Sequence, residues 1–262
     1  MNEGGGGVIT QVAVGDFHAV AITSKGAIYT WAFGSETGNV KTDAGFPKRV
    51  NELSSMIVVS IAAGDRRTGC ITEGGIMYTW GQGEDGVLGH GDENNCKSPK
   101  LVNAMVGKRP RQISFGYSHT AVCTEDGGLF TFGHGEHGQL GHGDMENNLL
   151  PKQVVALEGA FISQVACGLH FTMALTSGGH VYTWGNGEDG VLGHGSETSS
   201  MSPVPVEFLD EKKVTQISCC NRHSFAIVSS YEKKQVGAYY NDHESSMFNW
   251  NSYHRSRYDF YS

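Results

Sequence analysis

One block, 21 residues long in its clearest copy, is written into this chain four times at nearly constant spacing. That copy runs from Ile113 to Gly133 (ISFGYSHTAVCTEDGGLFTFG), and a second runs from Val165 to Gly185 (VACGLHFTMALTSGGHVYTWG). Two more begin at Val12 and Ile61, and a fifth opens at Ile217 and stops early. The aromatic closing each copy is Trp31, Trp80, Phe132 and Trp184, at steps of 49, 52 and 52. A proline follows at Pro47, Pro99, Pro151 and Pro203, at steps of 52 throughout. From each proline to the next copy's first apolar residue (Ile61, Ile113, Val165, Ile217) is 14 residues, so the irregularity lies between Trp31 and Pro47. A repeat of roughly 40–50 residues built of short strands points to the blades of a β-propeller, four strands to a blade.

The local pattern supports four strands per unit. In the third unit Gln112 to Phe115 reads as a first strand and Gly116-Tyr-Ser-His as a tight turn. Thr120 to Thr124 is a second strand, and Glu125-Asp-Gly-Gly is an Asp-Gly hairpin signal before the third strand, Leu129 to Phe132. The fourth strand is expected after the proline, as Lys152-Gln-Val-Val-Ala, since proline is tolerated at a strand's first residue. The units fall at about 9–57, 58–109, 110–161 and 162–213, with a partial one at 214–230. The expected fold is therefore all-β, an open arc of four full blades and the start of a fifth. Residues 1–8, with glycine at positions 4 to 7, are expected to be a flexible lead. Residues 231–262 hold nine aromatics among Asn, Ser, His and Arg without a defensible period, and are expected to be poorly ordered.

Composition narrows the function classes. Charged residues are 18% and glycines number 37, which suits many short strands and tight turns. The formal charge of −8, with no Lys/Arg cluster in the repeats, argues against nucleic acid and favours a basic protein surface as charged partner. No run approaches the ~18 apolar residues of a membrane span. The start lacks the basic and apolar regions of a signal peptide, so a cytoplasmic protein, with a nuclear location as the alternative, is expected. Cys70, Cys123, Cys167, Cys219 and Cys220 fall in apolar stretches with no C-x-x-C, which reads as reduced, packed thiols.

Candidate site residues concentrate in the long polar loop between the closing aromatic and the proline. It reads GQGEDGVLGHGD from Gly81, GHGEHGQLGHGD from Gly133 and GNGEDGVLGHGS from Gly185. Glu84, Asp85, Asp92, Glu136, Asp144, Glu188 and Asp189 form a recurrent acidic set there, accompanied by His137 and by His90, His142 and His194 at 52-residue steps. Such a set would steer a basic partner more than it would fix affinity. One histidine per blade spreads around a face, which disfavours a metal, and Asp85, Asp92, Glu93 and Asn94 lack calcium-loop spacing. His18, His119 and His223 share a G-x-x-H slot or its remnant, where Arg67 and Phe171 stand in the other copies. The expected role is a hydrogen bond that pins the turn. Ser118 and Ser224 lie beside these histidines without an oriented acid or a G-x-S-x-G elbow, so no enzyme and no cofactor are expected.

The G-x-x-H-T turn (Gly116 to Thr120), the hairpin glycines, the closing Tyr182 to Gly185 and the G-x-L-G-x-G loop (Gly138 to Gly143) resemble the repeats of the regulator of chromosome condensation family. The resemblance covers about residues 9–230 and implies a β-propeller, in that family normally seven blades closed into a ring. It also implies a role among guanine-nucleotide exchange on a Ran-like GTPase, ubiquitin-ligase scaffolding, plant ultraviolet-B photoreception and plain interaction modules. The photoreceptor pattern places tryptophan after the turn glycine, whereas those positions here are Asp16, Asp65, Tyr117, Leu169 and Asn221. The reading carried forward is a non-enzymatic protein-interaction module acting through the acidic loop face. Guanine-nucleotide exchange and a truncated product that self-associates through open blade flanks are the alternatives.

Overall fold

The computed structural model describes residues 7–32, 46–229 and 246–249. Within them the chain is all-β and folds into five sheets, each a meander of sequential antiparallel strands. Blade 1 holds β1 (Ile9–Val14), β2 (His18–Thr23), β3 (Ile28–Ala32) and β4 (Lys48–Arg49). Blade 2 holds β5 (Val58–Ala63), β6 (Arg67–Thr72), β7 (Met77–Gly81) and β8 (Cys96–Leu101). Blade 3 holds β9 (Pro110–Phe115), β10 (His119–Thr124), β11 (Leu129–Gly133) and β12 (Asn148–Gln153). Blade 4 holds β13 (Ile162–Cys167), β14 (Phe171–Thr176), β15 (Val181–Gly185) and β16 (Ser200–Pro205). Blade 5 holds β17 (Val214–Cys220), β18 (His223–Val228) and β19 (Ser246–Asn249). The open arc of four full blades and a smaller fifth is the expected architecture. The lead at 1–6, residues 33–45 and most of 230–262 lie outside the described residues, but Ser246–Asn249 pairs with β18, Phe248 opposite Ala226.

The fourth strand differs from expectation. In blades 2 to 4 the proline lies inside it rather than at its start, whereas Pro47 directly precedes β4, and the apolar run that follows is a 3-10 turn, Val155–Leu157 in blade 3. The ladder shows why. Lys152 faces Thr131 and Asn148 faces Gly133, so four residues of β12 span two of β11. Pro151 sits in that irregularity, where the missing N–H removes no regular ladder bond. The chain then dives inward: Val154 donates to Leu129 O at 2.9 Å, and Val154 and Leu157 are buried. Val50, Val102 and Val206 do the same in their blades, donating to Ile28, Met77 and Val181.

The core is divided among the joints between consecutive blades. At the joint of blades 3 and 4, Ala121, Cys123, Leu129, Val154 and Leu157 meet Ile162, Val165, Cys167, Ala174 and Trp184. Burying each such Val or Leu contributes about 1.5–3 kcal/mol, so joints rather than single blades carry the stability. Polar side chains tie the same joints. Gln112 grips the backbone of Val165 with both ends of its amide, at 3.2 Å to the carbonyl and 3.0 Å from the N–H. Gln164 grips Ile217 at 2.9 Å in both directions, and Gln11 reaches Ile61 O at 3.4 Å.

The turn histidines also act between blades, which corrects their expected role. His119 Nε2 meets Thr172 Oγ1 at 2.9 Å and His18 Nε2 meets Thr68 Oγ1 at 2.8 Å, each on the next blade. Arg67, in the same slot, donates to Tyr117 O at 2.6 Å. His119 is fully buried, and burial pushes its imidazole down to about 3, so it is neutral and latches as a neutral ring. His223, in the last described blade, is exposed.

Candidate interaction face

In a four-stranded meander the first and third connections emerge on one side. The short turns after β1, β5, β9, β13 and β17 therefore share a face with the long loops after β7, β11 and β15. Each long loop leans across the following blade. Thr120 Oγ1 donates to Val87 O at 2.7 Å, Thr172 Oγ1 to Gln139 O at 2.8 Å and Ser224 Oγ to Val191 O at 2.8 Å. Trp184 Nε1 adds a bond to Gln139 O at 2.9 Å. Gly86 shows why the loop needs glycine: its φ is +76°, and a Cβ there would lie 2.6 Å from the Leu149 backbone.

The candidate residues divide into three groups. His90, His142 and His194 turn inward. Their Nε2 atoms meet Thr79, Thr131 and Thr183 Oγ1 at 3.1, 3.0 and 2.8 Å, and burial lowers all three imidazoles. The same threonines donate to Leu88, Leu140 and Leu192 carbonyls, so each pair closes its own loop. Asp92 and Asp144 shape the outer end of the loop. Asp92 accepts from Asn94 N at 2.9 Å, the bond that holds its carboxyl below the usual range, and pairs with Lys100 at 3.4 Å. Asp144 accepts from Glu146 N at 3.2 Å and pairs with Lys152 at 3.7 Å. Glu84, Asp85, Glu136, His137, Glu188 and Asp189 lie at the inner bend, beside the turn of the next blade.

That inner bend is not uniformly acidic. Arg222 lies 3.2 Å from Glu188 and 3.0 Å from Asp189. Glu84 and Asp85 stand in the field of the buried Arg67, whose guanidinium is lowered chiefly by desolvation. Arg66 lies over the Phe17 ring at 4.1 Å. At the joint of blades 3 and 4 the charges give way to rings. His137 and His170 stand 4.4 Å apart, His134 lies 6.0 Å from His137, and Tyr117 meets His170 edge-on at 5.8 Å. Glu136 borders this group, 3.5 Å from His134, with its side chain 73% exposed. Beside it a hollow is lined by His170, Phe171, Asn186, Glu188 and Arg222.

Tyr117, His170, Arg66 and Arg222, on the short turns, were missed when the long loops were read alone, and His134, inside a long loop, has no counterpart histidine in the other two. A signal for them exists: loop and next turn are offset by 33 residues, as in Asp189 with Arg222 and Val191 with Ser224. The same offset carries His137 to His170. Among the described residues no three His, Cys, Asp or Glu side chains are grouped to hold a metal ion, and no helix is long and apolar enough to cross a membrane. Trp80 and Trp184 are buried in blade joints, and Trp31 is half-buried. Cys70, Cys123 and Cys167 are packed thiols as expected, whereas Cys220 is exposed.

The family model of the RCC1-like domain matches residues 2–239. The ultraviolet-B receptor UVR8 of Arabidopsis thaliana is 37% identical over 223 residues, covering 84% of this chain and 50% of the receptor. The E3 ubiquitin-protein ligase HERC2 of Homo sapiens is 38% identical over 233 residues, covering 85% of this chain and 5% of the ligase. Among solved structures, Prp20p from Saccharomyces cerevisiae, described with its binding properties to Gsp1p and histones, superposes with a TM-score of 0.70 at 21% identity. That likeness covers 81% of this chain and 54% of Prp20p, and it shows the fold. The chain thus spans about half the length of UVR8 and of Prp20p.

Proposed function

Because the chain belongs to the RCC1-like domain family of β-propellers, we propose that it is a non-enzymatic protein-interaction module whose binding surface is the inner bend of the loop face. The observation that carries this reading is the ring cluster at the joint of blades 3 and 4. Tyr117 is 53% exposed and meets His170 edge-on, His170 lies against His137, and the exposed carboxylate of Glu136 borders the group at His134. Exposed tyrosine beside well-packed rings is the composition of an interface centre, and carboxylates at its edge steer a basic partner. Asp92, Asp144, His90, His142 and His194 are assigned to loop architecture rather than to contact, because each already holds a neighbouring group of its own blade.

Two probes separate this reading from nucleotide exchange: purified histones as a basic protein surface, and a Ran-like GTPase loaded with fluorescent GDP. The interaction reading expects histone binding that weakens at least tenfold in Tyr117→Ala and in the Glu84→Lys, Glu136→Lys double variant. Histone binding unchanged by those substitutions would remove the inner bend from consideration. Accelerated GDP release would move the assignment to exchange.

A further inference from the structure

The inner bend of the loop between β11 and β12 is knitted together by imidazoles, where the other two long loops have none at the same places. We propose that this bend is a proton-released latch: proton uptake by His134, His137 and His170 frees it from the joint of blades 3 and 4 and so weakens binding at the interaction face in acid. The binding consequence rests on the function proposed above; the release does not.

The loop departs from its two fellows at three positions. His134, His137 and Gln139 stand where the loop of blade 2 has Gln82, Asp85 and Val87, and that of blade 4 has Asn186, Asp189 and Val191. Gln139 is thus an amide in a slot that otherwise takes valine, and it is fully buried. Such an amide is stable there only with both of its ends bonded. Its carbonyl accepts from the His137 backbone N–H at 2.9 Å, which turns its nitrogen toward His134 Nδ1 at 3.1 Å. An amide nitrogen only donates, so Nδ1 is the accepting nitrogen of His134 and Nε2 carries the hydrogen. A proton added at Nδ1 sets donor against donor, and flipping the amide sets its nitrogen against the His137 N–H instead. The backbone of the same glutamine seats the loop on blade 4, its carbonyl accepting from Thr172 Oγ1 at 2.8 Å and Trp184 Nε1 at 2.9 Å. Titration of one imidazole therefore reaches the bonds that hold the loop down.

The ring stack works in the same direction. His137 and His170 lie 4.4 Å apart, and His134 lies 6.0 Å from His137. Imidazolium ions at that spacing repel, whereas neutral rings do not. His170 Nδ1 is buried with no hydrogen-bond partner among the described residues, so a second N–H on that ring meets no acceptor. Desolvation first, then His137, His134 and Arg222, hold the His170 imidazole below its ordinary value. The other charged groups do not reverse this. Glu136, 3.5 Å from His134 Nε2, is one carboxylate against three imidazoles, and Glu188 is engaged by Arg222 at 3.2 Å. From blade 3, Tyr117 meets His170 edge-on and His119 is buried and neutral; Arg67 adds positive charge at His119. The packed bend takes up protons less readily than a released one, so lowering the pH through the imidazole range favours release.

Amide hydrogen exchange of the full chain, compared loop by loop, tests the latch. Mass spectrometry follows residues 133–142 against 81–90 and 185–194 at pH 7.5 and pH 5.5. The inherent pH dependence of exchange and any global loss of stability move all three loops together. At the lower pH, residues 133–142 are expected to lose protection about fivefold relative to the other two loops. The His134→Gln, His170→Phe double variant keeps an acceptor for Gln139 and a ring beside Tyr117, as Phe17 supplies at the same place of blade 1, and is expected to abolish that difference. His170→Phe alone, expected to halve it, serves should the pair fail to fold. Three loops that move in parallel, or a double variant that keeps the difference, would overturn the latch. Across the same range, histone binding by the wild type is expected to weaken about tenfold more than that of the double variant. A bend that opens while histone binding falls equally in both proteins would overturn its hold on binding. Absence of histone binding at both pH values would sink the function proposed above, while the exchange comparison still decides the latch.

Discussion

Lowering the pH from 7 to 5 is predicted to cost the folded chain about 2 kcal/mol through His119 alone. The imidazole is fully buried between blades 3 and 4, with Nε2 on Thr172 at 2.9 Å, and desolvation lowers it from 6.5 to about 3. His170, Arg67 and His134 push in the same direction. The unfolded chain therefore takes up a proton near pH 6.5 that the folded chain refuses until about pH 3. Stability from this residue is complete above the unfolded value and falls by about 1.4 kcal/mol per pH unit below it, levelling off near the folded value. His18 and the three loop histidines are also lowered by burial and add to the same trend. A difference measurement isolates His119. Urea unfolding of the wild type and of His119→Gln, whose amide does not titrate, is recorded between pH 7.5 and pH 5. The variant starts about 1–2 kcal/mol less stable, through the damaged latch. The gap then narrows by about 2 kcal/mol by pH 5, because only the wild type loses this contribution. Parallel pH profiles for the two proteins would refute the argument that His119 is held neutral in the joint.

Three further outcomes follow from the geometry. Thr183→Val keeps the buried shape but removes the bond to Leu192 O and the partner of His194, and is expected to cost about 2 kcal/mol in urea unfolding and to speed proteolysis within residues 186–199. Gly86→Ala combines a left-handed φ of +76° with a Cβ 2.6 Å from Leu149 Cα; a loss of more than about 2 kcal/mol is expected in thermal unfolding, where a neutral result would contradict the seating of the loop on blade 3. In the folded chain at pH 8, a thiol reagent should modify Cys220 first. Cys70 and Cys167, buried and pushed up to about 12, should react only on unfolding, as mass mapping of the labelled peptides would show.

Much of the fold was legible because its signals are local. The 52-residue period, the alternation within Thr120 to Thr124 and the Asp-Gly hairpin before Leu129 each follow from neighbouring residues, and the first three strands of blade 3 lie where they indicate. The fourth strand was misplaced because Pro151 was read as a start. Its irregular pairing depends on the position of β11, which the proline's neighbours do not encode.

The candidate site was legible only as a set of loops. Composition marked the loops at 81–96, 133–148 and 185–200 as polar and acidic, but not which side chains remain free. His90, His142 and His194 recur as regularly as any binding residue would, yet each is used up on a threonine of its own blade. Glu188 and Asp189 read as an open acidic pair until Arg222, on the next blade, is set against them.

By itself the sequence determined the blade, its period and its number, since a repeated apolar pattern leaves a short strand little choice of which face to bury. Tertiary structure alone decided the partners. His119 with Thr172, Gln112 with Val165 and His137 with His170 lie 33 to 53 residues apart, and they meet only because one sheet packs sideways on the next at a fixed offset. That packing is set by the shape of whole faces, so the chemistry exposed at their rim becomes visible only once the faces have closed.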